Sequence, residues 1–341
     1  MTNSLTINIS LFILVAIVIG LAGTKLATVA DKLADATGLG EAVIGALLLG
    51  GTTSLAGIVT SFVAASGGHP QLAVSNALGG IAAQTAFLAV ADITYRQANL
   101  EHAAASLTTL VQSTLLITLL AVPLMAMASP SVQIFGIHPV TLVLPLGYIL
   151  GLGLTNDTRL TPMWIPRRTA ETSVEAEKET KLARWALVRL WLGFILLALV
   201  TAVGGYLLAK TGIAIAMQTG LSETIVGGLF TAVSTSLPEL VTAVAAVKQG
   251  ALTLAVSGII GGNSFDVLLL ALSDLAYRQD SIYHALAQQQ LFVIALAILM
   301  TSVLLLGLLR REKYGIGNIG FESFMILTLY LGGFLFLFLN N

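Results

Sequence analysis

Ten long apolar runs, separated by charged or turn-forming residues, divide the 341-residue chain. They lie near residues 9–30, 41–66, 71–92, 104–127, 131–154, 185–208, 221–247, 252–275, 284–309 and 318–339. A transmembrane helix needs about 20 mostly apolar residues, whereas the strands of a membrane barrel are short and alternate in polarity. Only 10% of the residues are charged, against about 25% in an ordinary soluble domain. The sequence therefore predicts an all-α polytopic membrane protein with ten transmembrane helices.

Charge and cysteine content exclude several classes of protein. The formal net charge is −1, so nothing points to nucleic acid or another polyanion as a partner. The chain contains no cysteine, which excludes thiolate catalysis, zinc–sulfur sites and disulfides. The metalloprotease motif HExxH is absent. We therefore expect a membrane protein that is not an enzyme and holds no cofactor.

The longest polar connection, residues 156–184, mixes basic and acidic side chains. It divides the chain into a first five-helix repeat (1–155), a connecting loop (156–184) and a second five-helix repeat (185–341). Of the 16 lysines and arginines, thirteen fall on one side of the predicted helices, two on the other, and one within a run. The positive-inside rule places the richer side, with the loop, in the cytoplasm and both termini opposite. We expect a multi-pass protein of the cell (inner) membrane.

The two halves align without gaps when Thr53 is placed opposite Thr235. The clearest matches are Thr53-Ser54-Leu55 with Thr235-Ser236-Leu237, Gly79-Gly80 with Gly261-Gly262, and Asp92 with Asp274. Five helices per half is an odd number, so the second half enters the membrane in the opposite sense. Inverted repeats of this kind are typical of secondary transporters, which bind their cargo near mid-membrane where helices are interrupted.

Glycine, proline and hydroxyl residues interrupt four predicted helices at symmetric places. The interruptions are residues 50–54, 79–80, 234–239 and 261–264. Glycine and proline free backbone carbonyls, which a membrane tolerates only where they are buried in protein or line a cavity. Close packing of small residues is the alternative explanation. Two of the four interruptions lie beside carboxylates, which favours a binding site.

Glu239 and Asp266 are the two carboxylates that lie deep within apolar runs. An ionisable side chain inside the bilayer is costly and indicates a functional site. Thr235 and Ser236 precede Glu239 by four and three residues and share its helix face, and Asn263 precedes Asp266 by three. These groups form an all-oxygen set typical of hard cations such as calcium, not of metals that prefer histidine or cysteine. A purely structural pair of acids is the alternative.

These motifs also resemble a known family. Thr235-Ser236-Leu237-Pro238-Glu239 and Gly261-Gly262-Asn263-Ser264-Phe265-Asp266 are similar to the second signature repeat of the sodium/calcium exchanger (calcium:cation antiporter) superfamily. The first repeat is similar in a degraded form, through Thr53-Ser54-Leu55 and residues 68–74. The resemblance implies that predicted helices two, three, seven and eight form the ion site. The ligands it implies are Thr235, Ser236, Glu239, Asp266, Thr53 and Ser54, with the carbonyls of Gly50 and Ala232.

The chain departs from the family pattern at several positions. Ala56-Gly57 stands where the first motif carries Pro-Glu, so one of two facing glutamates is missing. Gln84, the counterpart of Asp266 and a further candidate ligand, stands where the family commonly has Asn or Asp. Gly80 and Gly262 replace small hydroxyl residues. Fewer charges and ligands argue against a scheme of three sodium ions for one calcium.

The sequence therefore predicts a secondary antiporter that moves a small inorganic cation, with calcium favoured as cargo. Two carboxylates offset one divalent ion or two protons more readily than three sodium ions, which favours protons over sodium as the counter-ion. The alternatives are an antiporter of the same fold for a monovalent or other cation, and a non-transporting relative.

Several polar residues near the predicted membrane edges receive structural interpretations. Asp92 with Arg96 and Asp274 with Arg278 have the i,i+4 spacing of helix ion pairs. Glu223 opens the seventh run, where a carboxylate suits a helix N-terminus; attraction of cations at the cavity mouth is the alternative. His69, in a Gly-Gly-His-Pro segment, is expected to be a loop residue.

Overall fold

The computed structural model describes residues 4–37, 49–95, 98–104, 106–130, 132–134, 136–167, 184–313, 315 and 319–340. Within these ranges the regular structure is helical, with one isolated bridge between Ile134 and Ile137 and no strand. The prediction of an all-α protein is confirmed for this part of the chain.

The described helices follow the predicted runs. The first six are α1 (Leu5–Thr37), α2 (Leu55–Ser66), α3 (Pro70–Thr94), α4 (Leu100–Ala103), α5 (Leu107–Ala128) and α6 (Val140–Leu160). The others are α7 (Arg184–Thr219), α8 (Glu223–Thr235), α9 (Leu237–Lys248), α10 (Leu252–Asp266), α11 (Leu268–Ala276), α12 (Gln288–Arg310) and α13 (Phe321–Leu339). A π-helical stretch, Val226–Thr231, lies inside α8, and a 3₁₀ turn, Ile282–His284, precedes α12.

Eight helices of the described chain are long and apolar enough to cross a membrane, counting Leu252–Ala276 as one span. The bent pair α8–α9 raises that number to nine. These spans make the chain an integral multi-pass membrane protein. The second predicted run contributes the short helix α2, and its first part, residues 41–48, lies outside the described residues. The exact number of ten spans stays a prediction.

The internal repeat extends to the helix boundaries. In the alignment that places Thr53 opposite Thr235, both ends of α2 fall opposite the ends of α9, and both ends of α3 fall opposite those of Leu252–Ala276. Helix α6 continues to Leu160, into the predicted connecting loop, because the first helix-breaking residue after Gly153 is Pro162. Residues 168–183 of that loop lie outside the described part.

Helix α3 lies at the centre of the bundle. In its most apolar window 83% of the residues are buried, against 6% for α7 at the periphery. Helix α1 packs along α7, and each contacts the opposite half closely. A Cβ on Gly23 would lie 2.5 Å from the Pro238 ring, and one on Gly205 would lie 2.6 Å from the Ala56 carbonyl oxygen. The two contacts are equivalent in the aligned repeats, so the repeat governs packing between the halves as well as within them.

The predicted ion pair between Asp274 and Arg278 is wrong. Asp274 is fully buried, and its carboxylate accepts hydrogen bonds from the backbone nitrogens of Ile282 (2.8 Å) and His138 (3.0 Å) and from the Thr141 hydroxyl (2.5 Å). Arg278 is exposed. A buried carboxylate at a helix end is satisfied by unpaired backbone N–H groups, whereas an arginine there reaches water more easily.

Asp92 occupies the equivalent place in the first half. It accepts hydrogen bonds from the backbone nitrogens of Leu100 (2.7 Å) and Gly320 (3.0 Å). Leu100 and Gly320 are themselves the repeat counterparts of Ile282 and His138. Arg96, its predicted partner, lies outside the described residues. The repeated aspartates therefore connect helix ends and loops at two equivalent corners.

Candidate cation site

Two helices are interrupted where they approach the centre of the bundle. Helix α8 ends at Thr235, α9 begins at Leu237, and their axes differ by 46°. Ser54 interrupts the helical run before α2 in the same way, with backbone angles (φ −82°, ψ 5°) close to those of Ser236 (φ −97°, ψ 5°). Pro238 in the first turn of α9 has no N–H to donate, which fixes the break on that side.

A small buried cavity lies between these interruptions, with room for about one water molecule. Six of the sequence-predicted site residues line it: Ser54, Gln84, Thr235, Ser236, Glu239 and Asp266. The other lining residues are Gly57, Asn76, Ala77, Gly80 and Leu269. The cavity thus combines both acids with hydroxyls and amides from the two halves of the chain.

Asp266 is held by groups from the first half. The Ser54 hydroxyl donates a short hydrogen bond to Oδ1, and the Gln84 amide nitrogen donates to Oδ2 over 2.7 Å. The same amide nitrogen lies 3.3 Å from the Ser236 hydroxyl oxygen. These contacts connect α2, α3 and α10 around one carboxylate and fix its orientation in the cavity.

Glu239, in contrast to Asp266, has a carboxylate oxygen that lacks a hydrogen-bond donor among the described residues. It is 6% exposed, and its Oε2 atom is buried with no hydrogen-bond partner among the described residues. Asp266, on the same cavity, adds a second negative group nearby. A buried carboxylate oxygen without a donor is energetically costly unless a cation or a proton meets it. The cavity therefore contains a carboxylate oxygen that a bound cation or a proton would stabilise.

Four predicted ligands do not line this cavity. The Thr53 hydroxyl lies 3.1 Å from the Leu49 carbonyl and 3.2 Å from that of Gly50. The Gly50 carbonyl also accepts from the Ser54 nitrogen, and the Ala232 carbonyl accepts from the Ser236 nitrogen and the Thr235 hydroxyl.

Asn263, the fourth, donates to the Thr85 hydroxyl over 3.0 Å, and its own Oδ1 is buried without a partner in the described chain. Because these groups are engaged within or between helices, their role as ligands stays a prediction.

Asn76 is the polar residue of the cavity lining that sequence analysis missed. Its amide nitrogen donates to the Gly57 carbonyl (3.3 Å) and the Ser61 hydroxyl (3.0 Å), and its oxygen accepts from Thr231 (2.8 Å). It precedes Gly80 and Gln84 by four and eight residues, so the three share one face of α3. That spacing is the sequence feature from which the place of Asn76 beside the cavity could have been predicted.

The fold and the cavity together define a multi-pass membrane protein with an acidic, oxygen-lined site at interrupted helices. The sodium/calcium exchanger protein family matches residues 7–154 and 189–339, and the chain belongs to that family. The matched ranges include both interrupted regions and every residue that lines the cavity.

Individual relatives match over shorter segments. The sodium/calcium exchanger MaX1 of Methanosarcina acetivorans is 33% identical over 105 residues, 30% of this chain and 29% of that protein. The putative antiporter CaxA of Alkalimonas amylolytica is 33% identical over 144 residues, 41% of this chain and 44% of that protein. The matches therefore span less than half the length of these relatives.

Two solved structures share the fold. The H⁺/Ca²⁺ exchanger CAX superimposes with a TM-score of 0.66 at 14% identity, covering 95% of this chain and 82% of that one. The sodium–calcium exchanger NCX_Mj superimposes with a TM-score of 0.60 at 20% identity, covering 96% and 98%. At these identities the likeness establishes the fold alone.

Proposed function

We propose that this member of the sodium/calcium exchanger family is a secondary cation antiporter that works by alternating access. Calcium is the proposed cargo, and protons are favoured over sodium as the counter-ion. Membership in the family and the names of the relatives, which include exchangers of sodium, calcium and protons, support the class of transporter. The choice of ions rests on the cavity of this chain.

The observation that carries the proposal is the state of Glu239. Its buried Oε2 has no donor among the described residues, and it shares the cavity with Asp266. Hydroxyls of Ser54, Thr235 and Ser236 line the same space. Oxygen ligands of this kind suit a hard divalent cation. A cation held there would be coordinated by both halves of the chain, as a site that alternates between two sides requires.

The charge of the site favours proton coupling. The cavity contains two carboxylates, and Gly57 stands where the repeat would place a partner for Glu239. Two carboxylates neutralise one calcium ion or two protons, but not three sodium ions. A proton and a cation would compete for the same oxygens, so cargo binding would release protons.

We further propose the domain arrangement and orientation. Residues 1–155 and 185–341 form inverted five-helix repeats, joined by a cytoplasmic loop at 156–184. The protein lies in the cell (inner) membrane with both termini outside the cytoplasm. The constant offset between equivalent helix boundaries and the basic asymmetry of the loops support this arrangement.

Single cysteines at positions 2, 170 and 340 of this cysteine-free chain test the orientation through labelling of intact cells with an impermeant thiol reagent. Labelling at 2 and 340 is expected. Labelling at 170 alone would contradict the orientation.

The missing carboxylate also supports a second candidate. A site with Gly57 and Gln84 in place of acids has fewer charges than its family pattern, which suits a monovalent cation or a relative that binds without transport. Flux separates these possibilities, because a binding protein moves no ion across a sealed membrane.

The decisive experiment is counterflow into liposomes containing the purified protein. Calcium, sodium, potassium and the proton gradient are varied one at a time. Calcium uptake driven by an opposing proton gradient, and lost in Glu239→Gln, is expected. Asp157→Asn is the matched control, because Asp157 is an exposed acid at the end of α6 and should leave uptake unchanged. Absence of flux with every ion would overturn the proposal.

A further inference from the structure

Two helices that lead away from the cavity pack backbone against backbone. A Cβ on Gly79 of α3 would lie 2.1 Å from the Gly228 carbonyl oxygen of α8, and one on Gly227 would lie 2.7 Å from the Leu72 carbonyl oxygen. No side chain separates the helices at these points. On α3 the contact begins at Leu72, on the N-terminal side of the cavity residue Asn76, and extends to Gly79, which adjoins the cavity residue Gly80.

A contact between an imidazole and a carboxylate joins the N-termini of the same two helices. His69, the residue before α3, places Nδ1 2.5 Å from Oε1 of Glu223, the first residue of α8. The two side chains are 25% and 26% exposed, so the pair is in direct contact and is also accessible to water. The second carboxylate oxygen of Glu223 is buried and has no hydrogen-bond partner in the described chain. The contact connects the first half of the protein to the second.

We infer that His69 and Glu223 form a latch, strengthened by protons, that keeps this end of the cavity closed. The inference rests on the proposed alternating-access function, since a latch matters only if this end opens. Separating α3 from α8 at their N-termini requires the His69–Glu223 contact to break. Breaking that contact would leave the partly buried Glu223 carboxylate without a hydrogen-bond donor on either oxygen among the described residues.

Protonation changes the strength of this contact. A neutral imidazole makes an ordinary hydrogen bond to a carboxylate, whereas an imidazolium makes a charge-assisted bond about twice as strong. Among the described residues Glu223 is the charged group in contact with His69. On the adjacent loop the neutral amide of Gln279 lies near Gly68, and Gln71 donates to the Ala285 carbonyl. Arg278 and Asp280, which flank Gln279 on that loop, carry opposite charges.

The sequence does not repeat the histidine of this latch in the other half. The repeat places Glu41 opposite Glu223, but the counterpart of His69 is Ala251, which has no group that could pair with a carboxylate. An acidic medium therefore strengthens closure at the His69 end, whereas the equivalent position of the other half lacks the histidine that such an effect requires. Protons would bias which side of the membrane the cavity opens toward.

A cysteine reporter in the cavity tests the latch without requiring transport. Ala77→Cys introduces a single thiol into the cysteine-free chain at a buried cavity position. Its rate of modification by a maleimide is measured in detergent at pH 5.5 and pH 8.5, with and without His69→Gln. Dividing the rate with His69→Gln by the rate without it removes the intrinsic pH dependence of the thiol. We expect a ratio of about three to ten at pH 5.5 and a value closer to one at pH 8.5.

Further variants make the result specific. Glu223→Gln keeps His69 but removes its charged partner, and should also raise the modification rate more at pH 5.5. His284→Gln is the matched control, because His284 contacts the Ser129 carbonyl and not Glu223, and its ratio should stay at one. A ratio near one for both latch variants at both pH values would overturn the inference. A latch effect in a protein that shows no flux would leave the latch standing and contradict the proposed function instead.

Discussion

Gln84 and Asp266 occupy equivalent positions of the two repeats, and the Gln84 amide nitrogen donates a hydrogen bond to the Asp266 carboxylate over 2.7 Å. The two halves thus meet at the cavity through one pair of equivalent residues. The pair is unlike in charge, because the first half supplies an amide where the second supplies an acid. This asymmetry limits the site to the two carboxylates on which the predictions about binding depend.

Glu239→Gln should lower the affinity for calcium by at least about tenfold, since it removes half the charge of the site while preserving its shape. In the unmodified protein the affinity should fall as the pH falls, because protons compete for the same oxygens. Isothermal titration of both proteins at two pH values measures these effects. Equal affinities, with no pH dependence, would place the ion site elsewhere in the molecule.

Gly57→Glu should restore a facing acid and shift coupling toward sodium. A Cβ at Gly57 would meet Leu269, Asn76 and Thr235 at 3.5, 3.8 and 3.9 Å, all ordinary contact distances, so a side chain can start into the cavity there. The measurement is the sodium dependence of calcium uptake in liposomes. Gly57→Gln is the control for size. If both variants behave alike, the number of charges does not determine the counter-ion.

Asp274→Asn should lower the free energy of unfolding by about 2–4 kcal/mol, because it weakens three buried hydrogen bonds to a charged acceptor. Arg278→Gln should change it by less than about 0.5 kcal/mol, as an exposed substitution does. Denaturant unfolding in detergent compares the two. An equal loss of unfolding free energy in both variants would contradict this prediction and support the ion pair that the helical spacing suggests.

Glu101, near Asp92 in the first half, makes the stability of the protein depend on pH. It is 3% exposed, Ser323 donates to its Oε1 over 2.6 Å, and its Oε2 has no partner in the described residues. Burial, reinforced by the negative charges of Asp92 and Glu322, raises the pKa of Glu101 from 4.5 to about 7. The equivalent residue of the second half is Tyr283, which is uncharged across this range.

The pKa of Glu101 is higher in the folded state than in the unfolded state. Its contribution to the stability of the folded protein is therefore fully present below pH 4.5. It is lost as the pH rises through 7. The stability of the protein should therefore decline by about 3 kcal/mol over this interval on account of this residue, and Glu101→Gln should remove that decline. Melting temperatures from pH 4.5 to 8 measure it, with the partly exposed Glu312→Gln as the control. Parallel curves for Glu101→Gln and the unmodified protein would contradict the prediction.

The sequence predicted most of the helices and the two acids because both depend on local features. Long apolar runs specify membrane helices directly, and Glu239 and Asp266 are recognisable as charges where charges are costly. Asn76 was missed because an amide among alanines and glycines carries no such cost. Its importance comes from Gly57 and Thr231, which the fold brings next to it.

Contacts between distant residues account for the remaining differences. Helical spacing correctly places Arg278 one turn from Asp274, but it does not show that three donors from other segments already satisfy the carboxylate. In the same way, His69 was expected to be a loop residue and Glu223 a helix-terminal acid. Both descriptions fit their local positions. Their contact, across 154 residues, follows only from how α3 and α8 pack.

The hydrogen bond between Gln84 and Asp266 has one more consequence. Each of the two residues is the repeat counterpart of the other. A motion that exchanges the conformations of the two halves therefore pairs the same two residues again. The neighbouring contacts are exchanged instead: the short Ser54–Asp266 bond corresponds to the longer Ser236–Gln84 contact of 3.3 Å. Opening toward the opposite side would lengthen the first and shorten the second. Gln84 and Asp266 would then stay partners of each other, while Ser54 and Ser236 exchange the shorter and the longer of the two neighbouring contacts.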